Sequence, residues 1–124
     1  MRHVAFLTLA ATALLVPAAH AREQADLHER ARLAVERTDK DLQTYVHREK
    51  LNDQQREKFD AAVKDLKEFR DDAAAGKWDG GRERLERAID NIDFVVNHAS
   101  LSEQEKTTLG IDLYTLRDVR DGWK

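Results

Sequence analysis

The sequence predicts an all-α protein, an antiparallel bundle of four helices that follows a cleaved signal peptide. Apolar residues recur with a period of about 3.6 residues in several segments, and no segment shows the alternation of a strand. The chain has 124 residues with one proline, five glycines and no cysteine. That composition excludes collagen-like chains, disulfide frameworks and disordered chains rich in proline and glycine. The length allows a single domain.

The first element is an export signal over residues 1–21, MRHVAFLTLAATALLVPAAHA. A basic start is followed by an uncharged apolar run from Val4 to Val16, and Ala19 and Ala21 supply the small residues before the cleavage site. The run reaches only about 20 Å as a helix, short of a membrane core of ~30 Å, which disfavours a transmembrane anchor. The prediction is a signal peptide over 1–21, a single helical domain over 22–124, a periplasmic location and no membrane insertion after cleavage.

The four helices are predicted near 23–49, 53–75, 80–98 and 103–121. In the first helix the apolar stripe is Leu27, Ala31, Ala34, Val35, Thr38, Leu42 and Tyr45. In the second it is Phe59, Ala62, Val63, Leu66, Phe69 and Ala73. In the third it is Leu85, Ala88, Ile89, Ile92, Val95 and Ala99, and in the fourth Leu109, Leu113, Leu116, Val119 and Trp123. Charged residues occupy the opposite faces, as in helices that bury one side in a bundle.

Two short segments predict where the second and fourth helices begin. Asn52 and Gln55 have the spacing of a capping box, in which two side chains each bind the other residue's backbone N–H. Ser102 and Glu105 repeat that spacing. Both pairs therefore mark helix N-termini.

The second helix is predicted to end at Gly76, which can adopt the left-handed conformation of a C-terminal cap. Asp79 is predicted to cap the third helix. Because all the connections are short, neighbouring helices should run antiparallel. Trp78 and Trp123 are expected to pack in or beside the core rather than to form a ligand platform. Gly110, inside the fourth helix, should weaken it by about 1 kcal/mol relative to alanine.

Catalytic and metal-binding patterns are scarce. A formal net charge of −3 gives no electrostatic footprint for nucleic acid. The absence of cysteine removes zinc fingers and thiol nucleophiles. His28, His47 and His98 have no acidic or histidine partner three or four residues later, and capping accounts for Ser102, which lies near His98. We therefore predict no enzyme activity, no catalytic residue, no cofactor and no metal site.

Four apolar residues lie away from the stripes of their helices: Leu33, Phe94, Ile111 and Tyr114. They could complete a core buried on two sides, or be scattered exposed side chains of the ordinary kind. They could also form a patch for a partner or a second subunit. If there is a contact site, Phe94, Ile111 and Tyr114 are its candidate residues.

The two capping segments, Leu51-Asn-Asp-Gln-Gln55 and Leu101-Ser-Glu-Gln-Glu105, resemble the repeated Leu-Thr-x-x-Gln motif of the Spy/CpxP family. Asn52 and Ser102 stand at the threonine position of the two segments, and Glu105 stands at the glutamine position of the second segment. The mature chain also lacks methionine. The resemblance implies a small helical periplasmic protein that acts as an ATP-independent chaperone or modulator of envelope stress, generally as a cradle-shaped dimer.

These patterns together favour a non-enzymatic periplasmic protein with a chaperone-like or envelope-stress binding role. Its partner would be a protein or a non-native client, with a homodimer as one arrangement. The alternative is a structural or regulatory adaptor that binds one specific envelope partner through helix–helix packing. A hydrolase or a metal carrier has too few suitable residues.

Overall fold

The computed structural model describes the backbone of residues 2–123 and the side chains of residues 18–123. Helices α1 (Arg2–Tyr45), α2 (Asp53–Ala74), α3 (Gly81–His98) and α4 (Glu103–Gly122) are joined by short connections, the first of which includes a 3₁₀ turn at Arg48–Lys50. No strand occurs between residues 2 and 123. The predicted all-α class with four helices is confirmed.

The helices form a ring in chain order. α1 packs against α2 and α4, and α3 packs against the same two helices. Helices α1 and α4 are antiparallel. Arg30, which is earlier in α1, pairs with Asp118, which is later in α4, whereas Arg37 approaches Asp112. Thus α1 and α3 lie diagonally opposite each other in an up-down-up-down bundle.

The predicted stripes supply most of the core. Ala31, Ala34 and Val35 of α1 are buried, so this part of the first helix docks in the bundle. The fully buried large apolar side chains are Val35, Leu42, Leu66, Leu85, Ile89, Ile92, Val95, Leu109, Leu116 and Val119. Alanines on α1 have little side-chain bulk, so neighbouring helices can approach closely.

Both predicted capping boxes are present. The Asn52 side chain accepts a hydrogen bond from the Gln55 backbone N–H at 2.8 Å, and the Gln55 side chain accepts one from the Asn52 N–H at 3.1 Å. Ser102 and Glu105 form the same reciprocal pair at 3.1 and 2.9 Å. Gly76 follows α2 with φ +73°, the left-handed conformation expected of it. These local signals were therefore sufficient to place two helix starts and one helix end.

Two predicted boundaries between residues 45 and 81 are wrong. α1 ends at Tyr45 rather than near 49, because Val46 and Leu51 are both buried and the chain must turn between them. The N-cap of α3 is Gly80 rather than Asp79, with φ +78° and no capping side chain. A left-handed residue at this position suits glycine, which has no Cβ to clash.

The predicted signal segment lies largely outside the described side chains, which begin at residue 18. The backbone of α1 is helical from Arg2 through the predicted cleavage position after Ala21, so the helix begins well before residue 23. Side chains 18–26 are exposed, and packing against the bundle begins at Leu27. Over the described range, no helix has the length and apolarity needed to cross a membrane.

Candidate functional site

The predicted contact residues occupy two different edges of the bundle. Ile111 is 50% exposed and Tyr114 is 74% exposed, and they lie one turn apart on the outer side of α4. Leu33 on the neighbouring α1 is 51% exposed. Among the described residues, these three are the large hydrophobic side chains that solvent reaches most.

Phe94 lies elsewhere. Its ring is half-buried and stacks on His98 with 4.1 Å between ring centroids, and Nζ of Lys58 lies 5.8 Å from its centroid. Because Lys58 belongs to α2, Phe94 marks the α2–α3 edge, whereas Ile111 and Leu33 lie at or beside the α1–α4 edge across the ring. The structure therefore brings Ile111 and Tyr114 together and leaves Phe94 outside that group.

The outer side of α4 carries an uncharged surface, which we call the α4 face: Thr107, Gly110, Ile111 and Tyr114. Between residues 107 and 116 the only charged residue is Asp112, and it is buried. Such a stretch is unusual in a chain in which 36% of the residues are charged. The Thr107 hydroxyl donates to the backbone carbonyl of Glu103 at 2.8 Å, so its hydrogen-bonding capacity is partly used within the helix.

A shallow groove adjoins the α4 face on the α1 side. Its volume is about 230 Å³, and it is lined by Leu33, Ala34, Thr115 and Val119 together with two arginines, Arg30 and Arg37. We call it the α1–α4 groove. The Thr115 hydroxyl donates to the Ile111 carbonyl at 3.0 Å, which ties this side of the groove to the α4 face. The lining is mainly apolar, so the groove can accept a hydrocarbon side chain.

The two arginines differ in how fully their charge is neutralised. Arg30 donates from Nη2 to Oδ2 of Asp118 at 2.7 Å, a short charge-assisted hydrogen bond. Nε of Arg37 lies 3.7 Å from Oδ1 of Asp112, too far for a good hydrogen bond, and the Arg37 side chain is 66% exposed. Arg37 is therefore a weakly engaged cation beside an apolar groove.

Asp112 is the unusual group beneath this surface. It is 1% exposed, and no N–H or O–H group of the described residues donates to its Oδ2. Burial, followed by a hydrogen bond with Asp41 and the charge of that carboxyl, raises the pKa of Asp112 to about 7, and Arg37 acts in the opposite direction. A protonated Asp112 can donate a hydrogen bond to the Asp41 carboxylate, whereas an ionised Asp112 cannot.

Asp112, Arg37 and Asp41 were not predicted as site residues. The sequence did contain a signal, because Asp112 follows Leu109 by three residues and precedes Leu116 by four, which places a carboxylate on the buried stripe. Its pairing with Asp41 could not be predicted, because it depends on the register between α1 and α4.

An aromatic cluster closes the end of the bundle at which α1 meets the turn between α2 and α3. His28 stacks on Trp78 with 3.9 Å between centroids, and Phe69 meets Trp123 edge-on at 5.8 Å. Trp123 is buried, Trp78 packs against the core, and burial lowers the pKa of His28. A Cβ on Gly81 would lie 2.9 Å from Cζ2 of Trp123, so this packing is tight. The prediction that both tryptophans serve packing is confirmed.

The described residues contain no group of three or more His, Cys, Asp or Glu side chains that could hold a metal ion. No family model, curated protein or solved structure matches this chain. The arrangement that remains is a well-packed bundle with an uncharged helix face, an adjoining apolar groove, and a buried carboxyl group, Asp112, beside the half-buried Asp41 and an arginine. Such an arrangement can bind a partner through apolar contact and charge.

Proposed function

We propose that this protein is a non-enzymatic periplasmic binding protein that holds apolar segments of other proteins in a chaperone-like manner. The observation that carries the proposal is the α4 face, where Ile111 and Tyr114 stand exposed in a stretch of helix without exposed charge. An apolar surface rimmed by polar residues is typical of a protein interaction site.

The size of the surface indicates weak binding. Complete burial of a large apolar side chain contributes about 1.5–3 kcal/mol, and Leu33, Ile111 and Tyr114 are already partly covered in the free protein. Association also loses translational, rotational and side-chain entropy, which offsets much of that gain. A convex helix face selects apolar character rather than shape. Weak and unselective contact of this kind suits the temporary holding of non-native clients.

The periplasmic location rests on the signal-peptide pattern of residues 1–21. The resemblance to the Spy/CpxP family would add a family context for client holding and for envelope stress. Its two motif segments form capping boxes at Asn52 and Ser102, and helix capping alone accounts for their sequence. The resemblance therefore stays a prediction, and the proposal depends on the α4 face.

A dedicated adaptor is the second candidate, and Gly110 favours it. A Cβ built on Gly110 would meet no atom within 4 Å, so packing within the bundle does not require glycine there. Glycine inside a helix is less favourable than alanine by about 1 kcal/mol. On the exposed face, the missing side chain leaves room for the close approach of a helix from one specific envelope protein.

The test follows light scattering as a chemically denatured client enzyme is diluted from denaturant into buffer containing the mature chain, Arg22–Lys124. Chaperone-like holding predicts that scattering falls at near-equimolar protein and that a second, unrelated client behaves alike. Tyr114→Lys should remove most of this effect, because it places a charge in the α4 face. Ala74→Lys is the matched control, since it adds the same charge at an exposed position on α2.

Unchanged scattering with both clients would refute client holding and leave the adaptor. The adaptor predicts instead a single envelope protein recovered with the wild-type chain and with Ala74→Lys, but lost with Tyr114→Lys. Equal suppression of aggregation by Tyr114→Lys and the wild type would show that clients bind away from the α4 face.

A further inference from the structure

The α1–α4 groove combines an apolar lining with a cation whose charge is poorly neutralised. Arg37 is 66% exposed and reaches its only acidic neighbour among the described ion pairs, Asp112, at 3.7 Å. Arg30 at the same groove is held by Asp118 at 2.7 Å. Of these two groove arginines, Arg37 is therefore the one that can turn to an incoming anion at little cost.

The acidic neighbour of Arg37 is itself unusual. Asp112 is buried in contact with Asp41, and no donor of the described residues reaches its Oδ2. Two facing carboxyl groups in a buried site share a proton more readily than they both ionise. The charged groups that face Asp112 are Asp41 and Arg37, both on α1. The ion pair between α3 and α4, formed by Asp93 and Arg117, is on another side of α4, because Arg117 lies about 140° around the helix axis from Asp112.

We infer that the α1–α4 groove binds a protein segment in which a carboxylate lies next to an apolar side chain, and that Arg37 pairs with that carboxylate. The apolar side chain contacts Leu33 and Val119, and Asp112 competes with the segment for Arg37. This inference rests on the proposed function, for which it names the kind of segment that is bound.

The competition makes binding depend on pH. When Asp112 is protonated, it donates to Asp41 and leaves the Arg37 guanidinium to the segment. When Asp112 is ionised, its own carboxylate holds Arg37 and the segment loses that partner. Binding should therefore be tighter at about pH 6 than at about pH 8, with proton uptake by the complex.

The test uses two synthetic helical peptides of about 15 residues, each with one leucine stripe. One carries glutamates beside the stripe, and the other carries lysines at the same positions. Fluorescence anisotropy measures the affinity of each labelled peptide for the purified protein at both pH values. The variants are Arg37→Gln and Asp112→Asn, and Arg48→Gln is the control because it removes an exposed, ion-paired arginine that does not line the groove.

The expected result is that the glutamate peptide binds about fivefold tighter at the lower pH, as for one exposed ion pair. Arg37→Gln should remove this pH-dependent gain in affinity for the glutamate peptide and leave the affinity for the lysine peptide unchanged. If Arg37 had only a structural role, the affinities of both peptides would change equally. Asp112→Asn should bind the glutamate peptide with the same affinity at both pH values. Arg48→Gln should change the affinity by less than about twofold.

Equal affinity of the two peptides, or a pH effect that persists in Asp112→Asn, would overturn the inference and leave client holding untouched. If neither peptide binds while denatured clients are still held, the inference fails and the proposed function stands. If the glutamate peptide binds as described but clients aggregate freely, the inference stands and the chaperone-like role is replaced by the adaptor.

Discussion

Replacing Asp112 by asparagine removes the buried ionisable group while keeping the shape of its side chain. The asparagine amide can still donate a hydrogen bond to the Asp41 carboxylate, as the protonated aspartic acid does. The substitution therefore separates the effect of ionisation from the effect of packing.

The size of the effect follows from the raised pKa. Burial first, and the Asp41 carboxyl second, raise the pKa of Asp112 to about 7, whereas an aspartate in an unfolded chain titrates near 3.9. The folded protein then binds the proton more tightly than the unfolded one. The stability this contributes is complete below about pH 4 and is lost as the pH rises through about 7.

Between about pH 5 and pH 8 the free energy of unfolding of the wild type should fall by roughly 3 kcal/mol relative to Asp112→Asn. The fall comes mainly from the roughly two pH units between pH 5 and the folded pKa of about 7, at about 1.36 kcal/mol for each unit. The gradual loss of this stability, rather than its absolute value, is the signature of the buried carboxyl. His28, whose pKa is lowered by burial, is present in both proteins and cancels in the comparison.

Urea unfolding of both proteins at several pH values measures the difference, with Trp78 and Trp123 as fluorescent reporters. Asp121→Asn, an exposed substitution on the same helix, is the control and should stay within about 0.5 kcal/mol of the wild type. A difference between wild type and Asp112→Asn that does not change with pH would refute the raised pKa of the buried Asp112 carboxyl.

Three further substitutions test the packing around the site and the ends of the helices. Gly81→Ala should destabilise the protein by about 1–3 kcal/mol in urea unfolding, because the new Cβ meets Trp123 and Phe69 at 2.9 and 3.2 Å; unchanged stability would mean that the aromatic cluster is loosely packed. Gly110→Ala should stabilise the protein by about 1 kcal/mol, since its Cβ meets nothing within 4 Å, and should weaken binding if a partner helix rests there. Ser102→Ala should cost about 1 kcal/mol, with reduced protection of the first α4 amides in hydrogen exchange, and full protection would argue against the capping box.

The sequence predicted the helices well because their signals are local. The capping boxes at Asn52 and Ser102 and the left-handed Gly76 act within a few residues, so they can be identified without the fold. The N-cap of α3 was predicted one residue too early. A side-chain cap at Asp79 was expected, but the helix is capped at Gly80, whose left-handed backbone needs no capping side chain.

The candidate site could be predicted only in part. The wheel positions of Ile111 and Tyr114 predicted that they lie off the buried stripe, and both are exposed. The helical wheel also grouped Phe94 with them. A wheel gives the direction in which a side chain leaves its own helix, but it does not say which neighbouring helix covers that side chain. The meeting of Asp112 with Asp41 depends on the register of two helices distant in sequence, which no local pattern specifies.

We propose above that apolar segments of other proteins bind at the α4 face. The most direct measurement is a two-dimensional ¹H–¹⁵N NMR map of the labelled protein, recorded with and without a permanently unfolded client polypeptide. If clients bind at the α4 face, amide shifts concentrate at Thr107, Gly110, Ile111 and Tyr114, with Leu33 across the groove. Shifts centred instead on Phe94 and Lys58, or none at a concentration that suppresses aggregation, would contradict it.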